Sequence, residues 1–222
     1  MTGFSSVTEG VPPVKPLRPT RREKALATRE RIVRAAIDVF AEAGFVGARM
    51  HDIAARAEVA VQTVYFVFHT KAELLSACFD YAVLGPERLP PQQQAFWSEM
   101  TTARSGRAAL AAFVRGNTAI LARVAVVDEV ALSVPHEPDA ADVVANSERL
   151  RREGYGEVVA MLADRFGLRA GVTVDTAIDL LLMFGSSPTY LTLRRYGWSE
   201  EAFVAWSTDT LAKQLLARPG RG

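Results

Sequence analysis

Apolar residues recur along this chain at helical spacing, three or four positions apart, over most of its length. Ile32, Ala36, Val39, Phe40 and Ala43 follow the i, i+4, i+7, i+8, i+11 pattern of an amphipathic helix, and a glycine follows at residue 44. This spacing predicts a first helix over about residues 28–43. No segment shows a convincing strand alternation, so the expected fold class is all-α.

Two short helices, predicted over residues 50–57 and 61–68, have the pattern of a helix-turn-helix. Ala54 is small enough for a close helix crossing, and Val59 in the connector can fill the space between the helices. Val64, Val67 and Phe68 would face inward on the second helix. The residues left facing at least partly outward are Gln62, Thr63, Tyr65 and Phe66. A helix of this size fits the major groove of DNA, so the pattern points to transcription control.

The remaining segments also have helical spacing. Thr70 to Glu73 form a capping-box signature, which predicts that a fourth helix begins at Lys71. Beyond a proline-rich joint near residue 90, we predict helices over about residues 92–103, 106–121, 124–133, 138–166, 174–195 and 200–217. Pro188 should interrupt the fifth of these. We therefore expect three parts: a flexible basic arm (1–27), a helix-turn-helix domain (28–75) and a larger helical domain (76–222).

Charge is unevenly divided between the two ends of the chain. Up to Lys71 there are 11 basic and 7 acidic residues, and beyond it 15 and 18. A basic head on an acidic body suits phosphate binding. The arm carries a basic cluster that either reaches DNA or is a solvated tail; its members are Lys15, Arg18, Arg21, Arg22 and Lys24.

The sequence gives little support for a membrane protein, an exported protein, a zinc protein or an enzyme. The longest strongly apolar run, residues 180–184, is far shorter than a membrane span, and no signal-peptide pattern is present, so we expect a cytoplasmic protein without membrane contact. Cys78 is the one cysteine, which excludes an intrachain disulfide and a cysteine-based zinc site. His51, His69 and His136 have no nucleophile or paired ligand at a useful spacing. We expect no catalytic residue, metal or cofactor, and no enzymatic activity.

The last two predicted helices are apolar around much of their circumference. Either both are central within one subunit, or a second copy covers part of them, as in an intermolecular four-helix bundle. We favour a homodimer, because symmetric half-sites in DNA require a two-fold protein. The residues expected at this interface are Tyr190, Leu191, Phe203, Trp206, Thr210 and Leu211.

Residues 28–75, TRERIVRAAIDVFAEAGFVGARMHDIAARAEVAVQTVYFVFHTKAELL, resemble the N-terminal domain of tetracycline-repressor-like (TetR family) transcriptional regulators. The ending YLTLRRYGWSEEAFVAWSTDTLAKQLL is similar to that of members in which the last two helices dimerise. The resemblance implies an all-helical homodimer whose C-terminal domain binds a small effector and thereby releases a palindromic DNA operator. It also implies phosphate contacts for Arg49, Thr63, Tyr65 and Lys71, and base-edge contacts for Val61, Gln62 and Phe66. His69 would be a phosphate neighbour.

Three features, at four positions, depart from the family pattern. Glu58 stands where a turn glycine is usual, and a left-handed conformation there would cost about 1–2 kcal/mol. Ala60 replaces a Ser or Thr cap, and with it about 1 kcal/mol of capping. Phe66 and the following Val67 make the reading surface unusually apolar, which fits either thymine-methyl contacts or weakened DNA binding.

An effector pocket would lie inside the C-terminal bundle, lined mainly by apolar residues. Its candidates are Phe113, Asn117, Leu121, Tyr155, Val159, Met161 and Met183. If Asn117 is buried, its amide must find a hydrogen-bond partner. The sequence therefore predicts a DNA-binding regulator, most simply a repressor, that responds to a small apolar or aromatic effector. The alternative is a dimeric helical ligand-binding or interaction protein whose head no longer reads DNA.

Overall fold

The computed structural model describes residues 20–132 and 137–217, which fold as helices joined by short connections. No β-strand occurs within these two ranges, so the all-α prediction is confirmed. The helices are α1 (Arg21–Gly47), α2 (Met50–Arg56), α3 (Val61–Val67), α4 (Lys71–Leu84), α5 (Ala95–Thr102), α6 (Gly106–Leu132), α7 (Pro138–Phe166), α8 (Val174–Phe184), α9 (Ser187–Arg195) and α10 (Glu200–Leu215). A 3-10 turn, Pro91–Gln93, precedes α5.

Helix α1 begins seven residues earlier than predicted, at Arg21. Thr20 and Glu23 form a capping box, each side chain accepting a hydrogen bond from the other's backbone N–H. The last residues of the predicted arm, 21–27, are therefore helical, and residues 1–19 lie outside the described ranges. Gly44 breaks the helical path as predicted, with φ 67° and ψ 174°, before one further turn that ends at Gly47.

Helix α6 is one continuous helix where two were predicted. Ala122 and Arg123, at the predicted break, are both good helix formers and give no reason to stop. Its length and composition would also suffice to cross a membrane, with a mean hydropathy of 1.5, which the search for uninterrupted apolar runs missed. However, 56% of that apolar window is buried within the fold, and one such helix is weak evidence for a membrane span.

The apolar side chains form two main clusters. The first joins α1 to α4 and continues into the far end of α6 and the start of α7, so the head has no separate core of its own. The second joins α5, α6, α7, α8 and α10. Pro188 lies in the first turn of α9, which Ser186 caps, and the predicted interruption of the 174–195 segment is confirmed by the gap between α8 and α9.

Candidate nucleic-acid interface and ligand cavity

Helices α2 and α3 cross as a helix-turn-helix around fully buried side chains. Ile53, Ala54 and Val64 are 0–2% exposed. Glu58 in the turn has φ 54°, the left-handed conformation that its glycine-like position requires. Ala60 precedes α3 without any side-chain cap. The left-handed turn at Glu58 and the uncapped start of α3, both predicted from the sequence, therefore occur in the structure.

Helix α3 presents one polar and aromatic face to solvent. Phe68, just after the helix, is 1% exposed, whereas Tyr65 is 52% and Phe66 84% exposed. Gln62 is exposed, and Thr63 and Val67 are half-buried. The inward and outward sides of α3 are those predicted. The guanidinium of Arg29 lies 4.3 Å from the centre of the Phe68 ring and holds the end of α3 against α1.

The other predicted DNA contacts border this face at the ends of the short helices. Arg49 is exposed and immediately precedes α2. His69 is exposed, with Nδ1 3.2 Å from Oε2 of Glu73. Val61 is half-buried and packs against the head core, so little of it is left to contact DNA.

The Lys71 side chain makes contacts within the protein that the sequence did not predict. Its Nζ donates hydrogen bonds to the carbonyl oxygens of Val46 (3.3 Å) and Ala48 (3.2 Å), and it lies 4.6 Å from the centre of the Phe45 ring. Burial lowers the pKa of this ammonium group. Lys71 thus ties the start of α4 to the connector between α1 and α2, and only one of its three N–H donors is left for a phosphate.

The body encloses a cavity of about 360 Å³ between α4, the turn before α5, α5, α6 and α7. Four of the predicted effector residues line it: Phe113, Asn117, Leu121 and Tyr155. Its walls are mainly apolar and aromatic, which suits a small organic ligand.

Three predicted effector residues are elsewhere. Val159 is fully buried, Met161 is packed against the body core, and Met183 is 54% exposed on the surface. The α7 residues that line the cavity end at Val158, so Val159 and Met161 lie just beyond it along the helix. The sequence analysis missed Phe79, Phe96, Trp97, Asp128 and Arg151, all of which line the cavity. The aromatic pair just after the proline-rich joint was the one available signal for them.

Asn117 has the partner that its burial demands. Its Oδ1 accepts a hydrogen bond from the Tyr155 hydroxyl at 2.8 Å, and that hydroxyl lies 3.1 Å from the carbonyl oxygen of Gly185. Burial raises the pKa of Tyr155 to about 12, which keeps the hydroxyl protonated as a donor. A Cβ on Gly185 would lie only 2.5 Å from the Tyr155 hydroxyl oxygen. Glycine is therefore needed where the break between α8 and α9 meets the cavity wall.

The predicted dimer residues divide between the core and the surface of one chain. Tyr190, Phe203 and Leu211 are 1–5% exposed, so their side chains pack within the subunit and leave little surface for a partner. Leu191 and Thr210 are half-buried, and Trp206 is 36% exposed. Periodicity could not separate these groups, because α10 packs against α6 and α8 on one side and leaves only its other side free.

The described part of the chain shows no metal-binding cluster and no exposed thiol. Within residues 20–132 and 137–217, no group of three or more His, Cys, Asp or Glu side chains could hold a metal ion. Cys78 is buried, and burial raises the pKa of its thiol. His136 lies outside the described residues.

Residues 32–78 match the model of a known family, "Bacterial regulatory proteins, tetR family". These residues include the complete helix-turn-helix and most of α1 and α4. The helix-turn-helix segment of the chain is therefore of the tetR-family type. This match supports the DNA-binding regulator that the sequence predicts. A search of the curated proteins gives no match.

Solved structures of tetR-family regulators have the same fold as the whole chain. A putative TetR-family regulator from Rhodococcus sp. superposes with a TM-score of 0.67 at 16% identity, over 85% of this chain and 98% of that one. The fatty acid degradation regulator FadR from Bacillus halodurans gives 0.66 at 19%, over 83% and 94%. NalD, the secondary repressor of the MexAB-OprM multidrug efflux pump in Pseudomonas aeruginosa, gives 0.66 at 18%, over 86% and 98%. At these identities the shared property is the fold.

Proposed function

We propose that this chain is a cytoplasmic repressor of the tetR family that binds a palindromic operator as a homodimer and leaves it when a small effector fills the body cavity. The observation that carries this proposal is the pairing of an exposed aromatic face on α3 with an apolar cavity behind α4. We assign DNA binding to residues up to about 75, and effector binding and dimerisation to the remainder.

In this proposal the exposed face of α3 enters the major groove. Gln62 can form two hydrogen bonds to adenine, and Phe66 offers an apolar surface to a thymine methyl group. Arg49, Thr63 and Tyr65 lie around that face and would bind phosphates, with His69 as a neighbour. Lys71 would add its one remaining N–H donor. Phe66 is 84% exposed, so nearly all of its ring is free to contact DNA.

Helix α4 is the element we propose to couple the two sites. It begins at Lys71, which is bonded to the α1–α2 connector, and further along Phe79, Asp80 and Val83 line the cavity. A ligand that binds one position of α4 better than another would shift the spacing of two heads in a dimer. A related fold, FadR from Bacillus subtilis, has been solved with stearoyl-CoA, which is consistent with ligand binding in this fold.

The surface we propose for dimerisation lies on α8 to α10. Met183 and Trp206 are exposed there, next to half-buried Leu191 and Thr210. The Trp206 ring lies 5.2 Å from that of Phe184 and 5.6 Å from that of Trp198, which makes a continuous aromatic surface. Large side chains of this kind are enriched where two proteins meet.

The DNA contacts can be tested by titrating salt against binding to a random-sequence duplex. Log affinity should fall linearly with log salt, and Arg49→Ala should reduce the slope by about 1 because one phosphate contact is lost. Tyr65→Ala should weaken binding to all sequences. Arg104→Ala, an exposed arginine of the body, is the matched control and should change neither quantity. Wild-type behaviour of both Arg49→Ala and Tyr65→Ala would reject the assigned face and favour a head that no longer reads DNA.

The effector site can be tested by a thermal-shift screen of small apolar and aromatic compounds. Compounds that enter the cavity should raise the melting temperature, and Asn117→Ala should change that response because it removes the partner of Tyr155. A screen without any stabilising compound, with Asn117→Ala indistinguishable from wild type, would count against an effector site here.

A further inference from the structure

More acidic than basic side chains line the cavity, so not all of them have a partner of opposite charge. Among the described residues that line it, three carboxylates (Asp80, Asp128 and Glu148) accompany one guanidinium, that of Arg151. Arg151 forms a hydrogen-bonded ion pair with Glu148. Two carboxylates are therefore left over.

Neither remaining carboxylate has a cationic partner within ion-pair distance in the described part of the chain. Asp128 accepts one hydrogen bond, from the neutral Ser187 hydroxyl. Asp80 has neither a hydrogen bond nor an ion pair there, although Arg29 lies near enough to lower its pKa somewhat.

Holding these two groups against an apolar cavity is costly. Burial raises the pKa of Asp128, and the nearby Arg151 and the Ser187 hydrogen bond only partly oppose it. Burial also raises the pKa of Asp80, which is the more exposed of the two and so the less desolvated. A carboxylate without a counter-charge in such a place is stabilised by whatever cation can approach it.

The same cavity has aromatic rings suited to a cation. Phe113 and Tyr155 meet edge to face with centroids 5.3 Å apart, and Phe96 and Trp97 do so at 6.3 Å. All four line the cavity. Aromatic faces attract organic cations, most strongly where water is excluded.

We infer that the effector is an organic cation, a protonated amine or quaternary ammonium on an apolar or aromatic body, with its charge beside Asp128 or Asp80. This inference rests on the proposed function, which makes the cavity an effector site. Arg151 Nε is a buried donor without a hydrogen-bond partner in the described structure, and it suits a neutral acceptor such as an ether or carbonyl of the same ligand. An anion at that place would meet Glu148, which already pairs with Arg151, and the nearby Asp128.

The test compares three probes of one shape: 4-phenylbutylamine, 4-phenylbutanol and 4-phenylbutyrate, titrated calorimetrically into the full-length protein at pH 7.5 and constant ionic strength. The amine should bind about tenfold more tightly than the alcohol, because only its ammonium group adds an attraction between opposite charges to the hydrogen bond that both can donate. The butyrate should bind most weakly of the three.

Two isosteric variants locate the charge. Asp128→Asn keeps an acceptor for Ser187, and Asp80→Asn keeps the size of the side chain; at least one should reduce the preference for amine over alcohol to about threefold or less. Asp164→Asn, an exposed carboxylate of α7 that does not line the cavity, is the control with the same charge change and should retain the preference.

Several outcomes would overturn the inference. These are equal affinity for amine and alcohol in the wild type, survival of the preference in both variants, or tightest binding of butyrate that Arg151→Gln abolishes. In each case a probe still binds, so the cavity stays an effector site and only its charge preference is wrong. If no probe binds, the cation assignment fails, and a negative thermal-shift screen would then reject the effector site as well.

Discussion

The head and the body of this chain bury their apolar residues in different ways. In the head, Ile32, Ile53, Val64, Phe68 and Leu74 are at most 1% exposed, and the aromatic side chains of α3 that do not fit this core point outward. In the body, aromatic side chains point inward but leave about 360 Å³ between them. A filled core gives the head a rigid outer surface for DNA, whereas an unfilled one gives the body an inner surface for a ligand.

The largest effect should come from removing a buried side chain at α3, in comparison with an exposed one. Phe68→Ala should lower the free energy of unfolding by about 3–5 kcal/mol, because it removes a ring that is 1% exposed. Phe66→Ala, two residues away and 84% exposed, should change stability by less than about 0.5 kcal/mol while weakening DNA binding. Urea unfolding and duplex binding of both variants would measure this. Equal stabilities for the two would show that α3 has no distinct inner side.

A methyl group added at Gly185, which packs against the Tyr155 and Asn117 side chains of the cavity wall, should have the next largest effect. Gly185→Ala should cost about 1–3 kcal/mol, because its Cβ would lie 2.5 Å from the Tyr155 hydroxyl oxygen and 2.8 Å from Asn117 Nδ2. Gly154→Ala, next to Tyr155 in α7, has nothing within 4 Å and should instead stabilise the helix by about 0.5–1 kcal/mol. Thermal unfolding of both variants measures the difference. If Gly185→Ala leaves the melting temperature unchanged, the Tyr155 and Asn117 side chains can move aside at little cost.

Substitutions in the turn between α2 and α3 should stabilise the protein. Glu58→Gly should stabilise the protein by about 1 kcal/mol by relieving a φ of 54°. Ala60→Ser should add about 1 kcal/mol by capping α3. Glu58→Ala retains the strained conformation and serves as the control in denaturant unfolding. If it stabilises the protein as much as Glu58→Gly, the gain comes from the lost charge and not from the backbone.

The smallest effect should be a pH-dependent one in the body. Because burial raises the pKa of Asp128, the folded protein holds this proton more tightly than the unfolded chain, and stability is lost as pH rises through the raised pKa. Asp128→Asn should therefore melt above wild type at pH 8, and the difference should shrink towards pH 4. Arg151, Glu148 and Ser187 face the same carboxyl group and are unchanged in this comparison. A melting difference that grows towards low pH would contradict the assigned shift.

The head could be predicted from the sequence almost residue by residue, since local signals fix it. Helical periodicity predicted the orientation of α3, and the missing glycine at position 58 predicted the left-handed turn. The one large error there, the start of α1, came from overlooking the capping box of Thr20 and Glu23. The family model covers this same region.

The body was less predictable because its site depends on how distant segments pack. Spacing showed that Val159 and Met161 are apolar helix positions, but not that the cavity ends at Val158 along α7. It likewise could not show that Tyr190 and Phe203 fill the core of their own subunit, where their rings lie 5.4 Å apart. Asn117 was the exception, because a buried amide always needs a partner.

The central property that we propose for this protein is sequence-specific binding of DNA by the outer face of α3. Purified protein should be used to select binding sites from a pool of random duplexes at near-physiological salt, and the recovered sites sequenced. An inverted repeat whose half-sites lie about one helical turn, or a multiple of it, apart would support a two-fold sequence-specific repressor. Recovery of no shared sequence would contradict it, and would make Glu58, Ala60 and Phe66 the first positions to revert towards the family pattern.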